Sequence, residues 1–280
     1  MNDIVYMVYH YCTVETFKNI MSSKVLWLSD LTDSNDEQEV TRTFLNLWEG
    51  VKARLRKTDL PHDILMQNIE VLDEQYKTEL IAEPPYRICF CEQEDLFHQW
   101  KEYGGNTTGL SLGFDINWFL RDGIKKQMPH PNMIQSNAIG FERVMYHSPE
   151  FEEKMASVCY QALRCYGTQA WITTLLPTFK HYSGFVKNPT FNAEEEIRIV
   201  YYPMKEIDFL VKDVDVSELK TSFKKHYEIP WIKDNTQALK SICMGHNCTI
   251  TKDEVLDVLK SNGIDINIRI TESENSYRLK

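Results

Sequence analysis

The sequence predicts an α+β fold, a mixed central β-sheet carrying a helical hairpin insertion. Three observations carry this reading. Short β-branched and aromatic runs recur from end to end, at Ile4 to Tyr11, Val25 to Leu28, Arg87 to Cys91, Gly109 to Phe114, Ile139 to Tyr146 and Ile197 to Tyr201. Between the second and third of them the apolar spacing becomes helical. The 280 residues contain no internal repeat, low-complexity tract or linker, so residues 1–280 read as a single domain with residues 39–83 as the insertion.

In chain order, Thr13 caps a short helix whose stripe is Phe17, Ile20 and Met21, followed by the strand Val25-Leu26-Trp27-Leu28. Asp30 to Asp36 is a polar turn-forming loop. Phe44, Leu47, Trp48, Val51 and Leu55 form one helical stripe, and Ile64, Ile69, Leu72 and Tyr76 another, separated by Pro61 and closed by Pro84-Pro85. The hairpin they make would cover the sheet, or gate a cleft as a lid or partner surface. Asp95 to Glu102 is a short helix, and the glycines of Gly109 to Phe114 allow close backbone approach. Ser148-Pro149 opens a helix that should run to about Arg164. Trp171 to Phe179 is apolar and helical, suited to lie under the sheet. Thr251 to Glu254 is a capping box, with Asn262-Gly263 closing its helix. Ile264, Ile266, Ile268 and Ile270 alternate as a half-buried strand that Tyr277 to Leu279 would pair.

A formal charge of −10, from 31 basic and 41 acidic residues, argues against a general nucleic-acid or anionic-membrane coating role. Seven scattered cysteines suit a reducing compartment, and the N-terminus has no signal-peptide pattern, so a cytoplasmic protein is expected. No apolar run is long enough to span a bilayer, so no membrane partner is expected. Dinucleotide, triphosphate and hydrolase-elbow motifs are absent. The Cys243, His246, Cys248 and the Cys89, Cys91 groupings lack the doubled spacing of zinc sites, and no metal site is assigned.

Phe185 to Val200 concentrates the chemistry. Pro189 and Asn192 break regular structure before a strand that opens on Glu194, Glu195 and Glu196. In an extended chain Glu194, Glu196 and Arg198 share one face and Ile197 and Ile199 the other. Two readings stay open: a solvated edge strand with Glu196 paired to Arg198, or an acid at the mouth of a cleft. His10 at the end of the first strand and Ser29 at the end of the second would suit a nicotinamide-ribose site, with a carboxylate stabilising an oxocarbenium-like centre as nicotinamide leaves.

Tyr9-His10-Tyr11, Leu26-Trp27-Leu28-Ser29, Asn35-Asp36-x-x-Glu39, Cys89-Phe90-Cys91, Trp100-x-x-Tyr103, Gly109-x-x-x-Gly113-Phe114-Asp115, and Phe185-x-Lys187 through Glu194-x-Glu196-x-Arg198 together resemble the bacterial domain of unknown function 2971. Glu37, Cys91 and Phe191 stand where that family usually has proline, serine and tryptophan. More distantly, the opening is similar to ADP-ribosyltransferases, including toxin and phage-defence members. That resemblance implies an ADP-ribosyltransferase-like sheet and an enzyme using NAD as substrate to modify a nucleic acid or protein, or hydrolysing it. It also implies an antitoxin or defence-system partner. It makes Glu196 and Glu194 the catalytic acids and His10, Ser29, Asn35 and Arg198 the NAD-binding residues, with Trp27 the nearest counterpart of the family's second-strand tyrosine. The rivals are a non-enzymatic binding module with a structural ion-pair cluster, and a metal-dependent nuclease using Asp30, Asp33, Asp36 and Glu39.

Overall fold

Sheet pairing, rather than helix packing, sets the architecture. A computed structural model of the chain describes residues 6–31, 44–75, 85–119, 139–202, 211–213 and 225–275. Strand β1 (Met7–Cys12) is followed by helix α1 (Val14–Ser23) and β2 (Val25–Asp30). Thr13 caps α1 by accepting from the Thr16 amide, and Lys24, at φ 60°, turns the chain into β2. Then come α2 (Phe44–Leu55), α3 (His62–Gln75), β3 (Tyr86–Cys91), α4 (Phe97–Glu102), β4 (Leu110–Asp115) and the single turn α5 (Ile116–Trp118). The middle of the chain is β5 (Ile139–Arg143), β6 (Met145–Tyr146), α6 (Pro149–Tyr166), a π-helical turn at Trp171–Leu175 and α7 (Leu176–Ser183). Next are β7 (Val186–Lys187), a 3-10 turn at Pro189–Glu194 and β8 (Glu196–Tyr201). The remainder is β9 (Val211–Asp213), β10 (Lys225–Pro230), the small hairpin β11 (Ile232–Lys233) and β12 (Thr236–Gln237), β13 (Leu239–Met244), α8 (Lys252–Ser261) and β14 (Arg269–Glu272).

Among the described residues the main sheet runs β14-β13-β4-β1-β3-β2-β10-β9, with β8 beside β3 and β5 beside β8. It is antiparallel except where β13 meets β14, so it is mixed, as expected from the sequence. One edge of β3 is covered along its length by β8, from Tyr86 opposite Tyr201 to Cys91 opposite Glu196. Its other edge is shared. β1 meets it at Tyr9 and Cys91, whereas β2 meets it at the far end, Ser29 opposite Arg87 and Asp30 opposite Tyr86. The two parallel strands therefore part over Ile88 to Phe90, and the sheet is split there.

One core packs α1 and α8 on the sheet through Phe17, Met21, Leu28, Phe90, Phe114, Ile199 and Leu259. A second joins Leu47, Trp48, Val51 and Leu55 of α2 to Leu65, Ile69 and Leu72 of α3, Met155, Cys159 and Leu163 of α6, and Leu175 and Phe179. Two helices, α2 and α3, occupy the stretch read as a hairpin, and each buries one face in a helical layer shared with α6 and residues 167–179. Trp171 to Phe179 contributes to that same layer, not to the underside of the sheet, because Phe179 packs edge-on against Trp48 at 4.7 Å. Ser148 and Pro149 open α6 as expected, and the Thr251–Glu254 capping box opens α8. Gly109 allows the close approach expected of it: a Cβ there would lie 2.0 Å from the Cys12 carbonyl oxygen. The isoleucine alternation overstates the last strand. Ile264 is buried and Ile266 exposed, but sheet pairing begins only at Arg269. Tyr277 to Leu279 lie outside the described residues.

Candidate functional site

At the split, the unpaired edge of β3 is met by a side chain. His10 Nδ1 lies 3.0 Å from the Cys89 carbonyl oxygen. A carbonyl only accepts, so Nδ1 carries the proton and Nε2 presents a lone pair. Burial lowers the His10 pKa, outweighing the opposing effect of the Cys89 bond, so the ring is neutral near pH 7. The opening is a small recess with a cavity of about 60 Å³, lined by His10, Tyr11, Cys89, Phe90, Gln99, Tyr103, Glu194 and Glu196. That is several-fold below the small-ligand range of roughly 300–1,000 Å³, so the recess holds at most a single ring and the rest of any ligand lies outside it.

The Glu-x-Glu-x-Arg stretch arrives from the opposite side of β3. β8 lies between β3 and β5 and is buried along its length, so it is neither an edge strand nor solvated on its charged face. Glu194 reaches that face from the 3-10 turn. Glu195, exposed and at φ 46°, bends the chain so that its neighbours converge on one cation, Lys187 of β7. Lys187 Nζ donates to Glu194 Oε2 at 2.6 Å and to Glu196 Oε2 at 3.0 Å. Arg198 grips Glu196 with both arms, Nε to Oε1 at 2.6 Å and Nη2 to Oε2 at 3.0 Å, and donates Nη1 to the Gly184 carbonyl at 2.8 Å. Both carboxylates and both cations are at least 96 % buried, so neutralisation within the cluster is what makes it tolerable.

The two acids are not equivalent. Burial would raise both pKa values; at Glu196 the Arg198 and Lys187 charges outweigh it and hold the carboxyl well below its usual range. At Glu194 burial prevails over Lys187 and the value is raised. Glu196 is a fixed anion, and Glu194 is the group poised to exchange a proton. α4 braces Glu194: Gln99 Nε2 donates to its carbonyl at 2.9 Å, and the Tyr103 hydroxyl lies 3.4 Å from Oε1. Beside them the Cys89 thiol is pushed up to about 12, mainly by burial and further by Glu196, which makes it a poor nucleophile.

Of the residues expected from the sequence, His10, Glu194 and Glu196 share the recess, and Arg198 stands behind Glu196. Ser29 stands apart: its register partner on β3 is Arg87, two to three residues from Cys89 and Phe90, roughly 7–10 Å along the strand. Asn35 lies outside the described residues, as do Asp33, Asp36 and Glu39 of the nuclease reading. Lys187, Gln99 and Tyr103 received no role from the sequence, although Lys187 and Tyr103 belong to the resemblance motifs and Gln99 directly precedes one.

Residues 99–199 match the model of a family described as "Protein of unknown function (DUF2971)". The span begins at Gln99 and includes Tyr103, Lys187 and the Glu-x-Glu-x-Arg stretch, which supports the family resemblance drawn from the motifs. No curated protein and no solved structure matches the chain. Among the described residues no helix is long and apolar enough to cross a membrane.

Proposed function

We propose that the split recess is the reaction centre of an ADP-ribosyltransferase-like enzyme that uses NAD to modify a macromolecule, or hydrolyses NAD. The observation carrying this is the convergence of His10, from the first strand, with Glu194 and Glu196, 184 and 186 positions later, at one opening in the sheet. The lining suits the nicotinamide end of NAD. It combines a neutral imidazole, two carboxylates and aromatic side chains, while the buried Lys187 and Arg198 pair with the acids, so a flat pyridinium cation finds acceptors and no exposed like charge.

In the proposed reaction the bond between ribose C1′ and the pyridinium nitrogen breaks, and nicotinamide leaves with the electron pair. Positive charge develops at C1′, where Glu196, ionised at any physiological pH, lowers its energy electrostatically. An acceptor hydroxyl, amine or water attacks C1′ and gives up its proton to Glu194.

The bidentate Arg198–Glu196 pair favours a second reading, a structural ion-pair cluster in a non-enzymatic binding module. Glu194→Gln separates the two. Lys187 keeps Glu196 as a partner in that variant, so the fold should hold. Nicotinamide release from NAD, assayed with cell lysate and a metal chelator, should drop by about a hundredfold or more. Absence of NAD turnover by the folded wild-type protein supports the binding module.

A further inference from the structure

The recess wall made by Gln99 and Tyr103 stands on a six-residue helix, too short to hold its own shape in water. Its N-cap residue, Leu96, makes no side-chain cap, and just before it stands the carboxylate of Asp95. Asp95 Oδ1 accepts from the Trp100 indole at 2.5 Å, from Ser273 Oγ at 2.6 Å and from Asn275 Nδ2 at 2.7 Å, and Oδ2 accepts from the Glu274 amide at 2.9 Å. Asn275 Nδ2 also reaches the Asp95 carbonyl at 3.1 Å. Trp100 is fully buried, edge-on to Tyr11 at 4.8 Å, and lies one residue from Gln99 and three from Tyr103. The segment that supplies the other donors follows β14 and is anchored by the Ser273 amide on the Met244 carbonyl at 2.7 Å.

We propose that Asp95 is a positioning residue: it ties residues 273–275 to Trp100 and thereby fixes the α4 wall against Glu194 and His10. This holds whatever the recess binds. Burial alone would raise the Asp95 carboxyl, but the bonds from Ser273, Trp100, Asn275 and the Glu274 amide outweigh it and lower it, so the tie is intact at neutral pH and opens only in acid.

His10 reports on the wall, because its lowered pKa comes from burial in a recess whose other titratable groups are Tyr11 on its own strand, Cys89 on β3, Tyr103 on α4, and Glu194 and Glu196. In Asp95→Asn, four donors would face a group with one acceptor and a new amide donor. The His10 ring-proton NMR titration of the full chain should then move upward toward the ordinary histidine value. The double variant Ser273→Ala/Asn275→Ala, which leaves Asp95 in place, should shift it the same way. Thr251→Ala, which removes the cap of α8 elsewhere in the fold, should leave it where it is. If Asp95→Asn fails to fold, the double variant decides. An unmoved His10 midpoint in either folded variant, or an equal shift in Thr251→Ala, overturns the proposal.

Discussion

Arg198 has no exposed surface, and its guanidinium is committed to Glu196 and the Gly184 carbonyl. Arg198→Met would leave two buried carboxylates with Lys187 as their direct partner and only the Arg87 charge besides, so unfolding in urea at pH 7 should show a loss of about 3–5 kcal/mol. A loss below about 1 kcal/mol would mean that the pair is not what holds the cluster. The pH dependence follows from the two acids. Glu196, lowered in the folded state, contributes stability that is present above the ordinary glutamate range and lost as pH falls through its depressed value. Glu194, raised, has the opposite sign and favours folding as pH falls through its raised value. Stability should therefore hold or rise slightly on mild acidification and fall only in stronger acid, and the late fall should shrink in Arg198→Met. At this scale the sequence was informative about composition and silent about distance. Glu194, Glu196 and Arg198 were legible as one face because alternation is local. Lys187 was not assigned its role, since nothing in a Val-Lys dipeptide says that the ammonium will be buried between two carboxylates.

At the scale of elements, helix starts were the most legible feature, because caps act within four residues: Thr13, Ser148-Pro149 and Thr251 all cap the helices expected of them. Extent and environment were less so. The isoleucine alternation from Ile264 fixes which side chains would share a face, but a strand exists only where an edge is available, and β13 offers one from Arg269 onward. The α2–α3 hairpin was legible as two stripes, while its burial depends on α6, whose apolar face is about 100 residues away. With Leu47 fully buried against that layer, Leu47→Ala should cost about 2–5 kcal/mol, measured by urea unfolding. Excising the hairpin should unfold the helical layer, detected by loss of helical circular dichroism beyond the excised residues. A well-folded excision variant would restore the view of the hairpin as a detachable lid.

Across the whole molecule, the decisive feature is the split between β1 and β2 on the shared edge of β3. No local pattern announces it, because it arises from the pairing of β3 with β1 across about 80 residues and with β2 across about 60. The resemblance motifs mark residues on both sides of the opening, which is why His10 and Glu196 could be placed together from sequence. Ser29 follows β2 to the far end of β3, a displacement that no motif spacing conveys. The central claim is that the nicotinamide end of NAD occupies this opening. Its most direct test is to follow the His10 ring protons by NMR while NAD, and separately ADP-ribose, is added to the full-length protein with metals chelated. The account predicts a saturable His10 shift with NAD, absent with ADP-ribose, which lacks the nicotinamide ring. A His10 signal unmoved by millimolar NAD in the folded protein, or one moved equally by ADP-ribose, would contradict it.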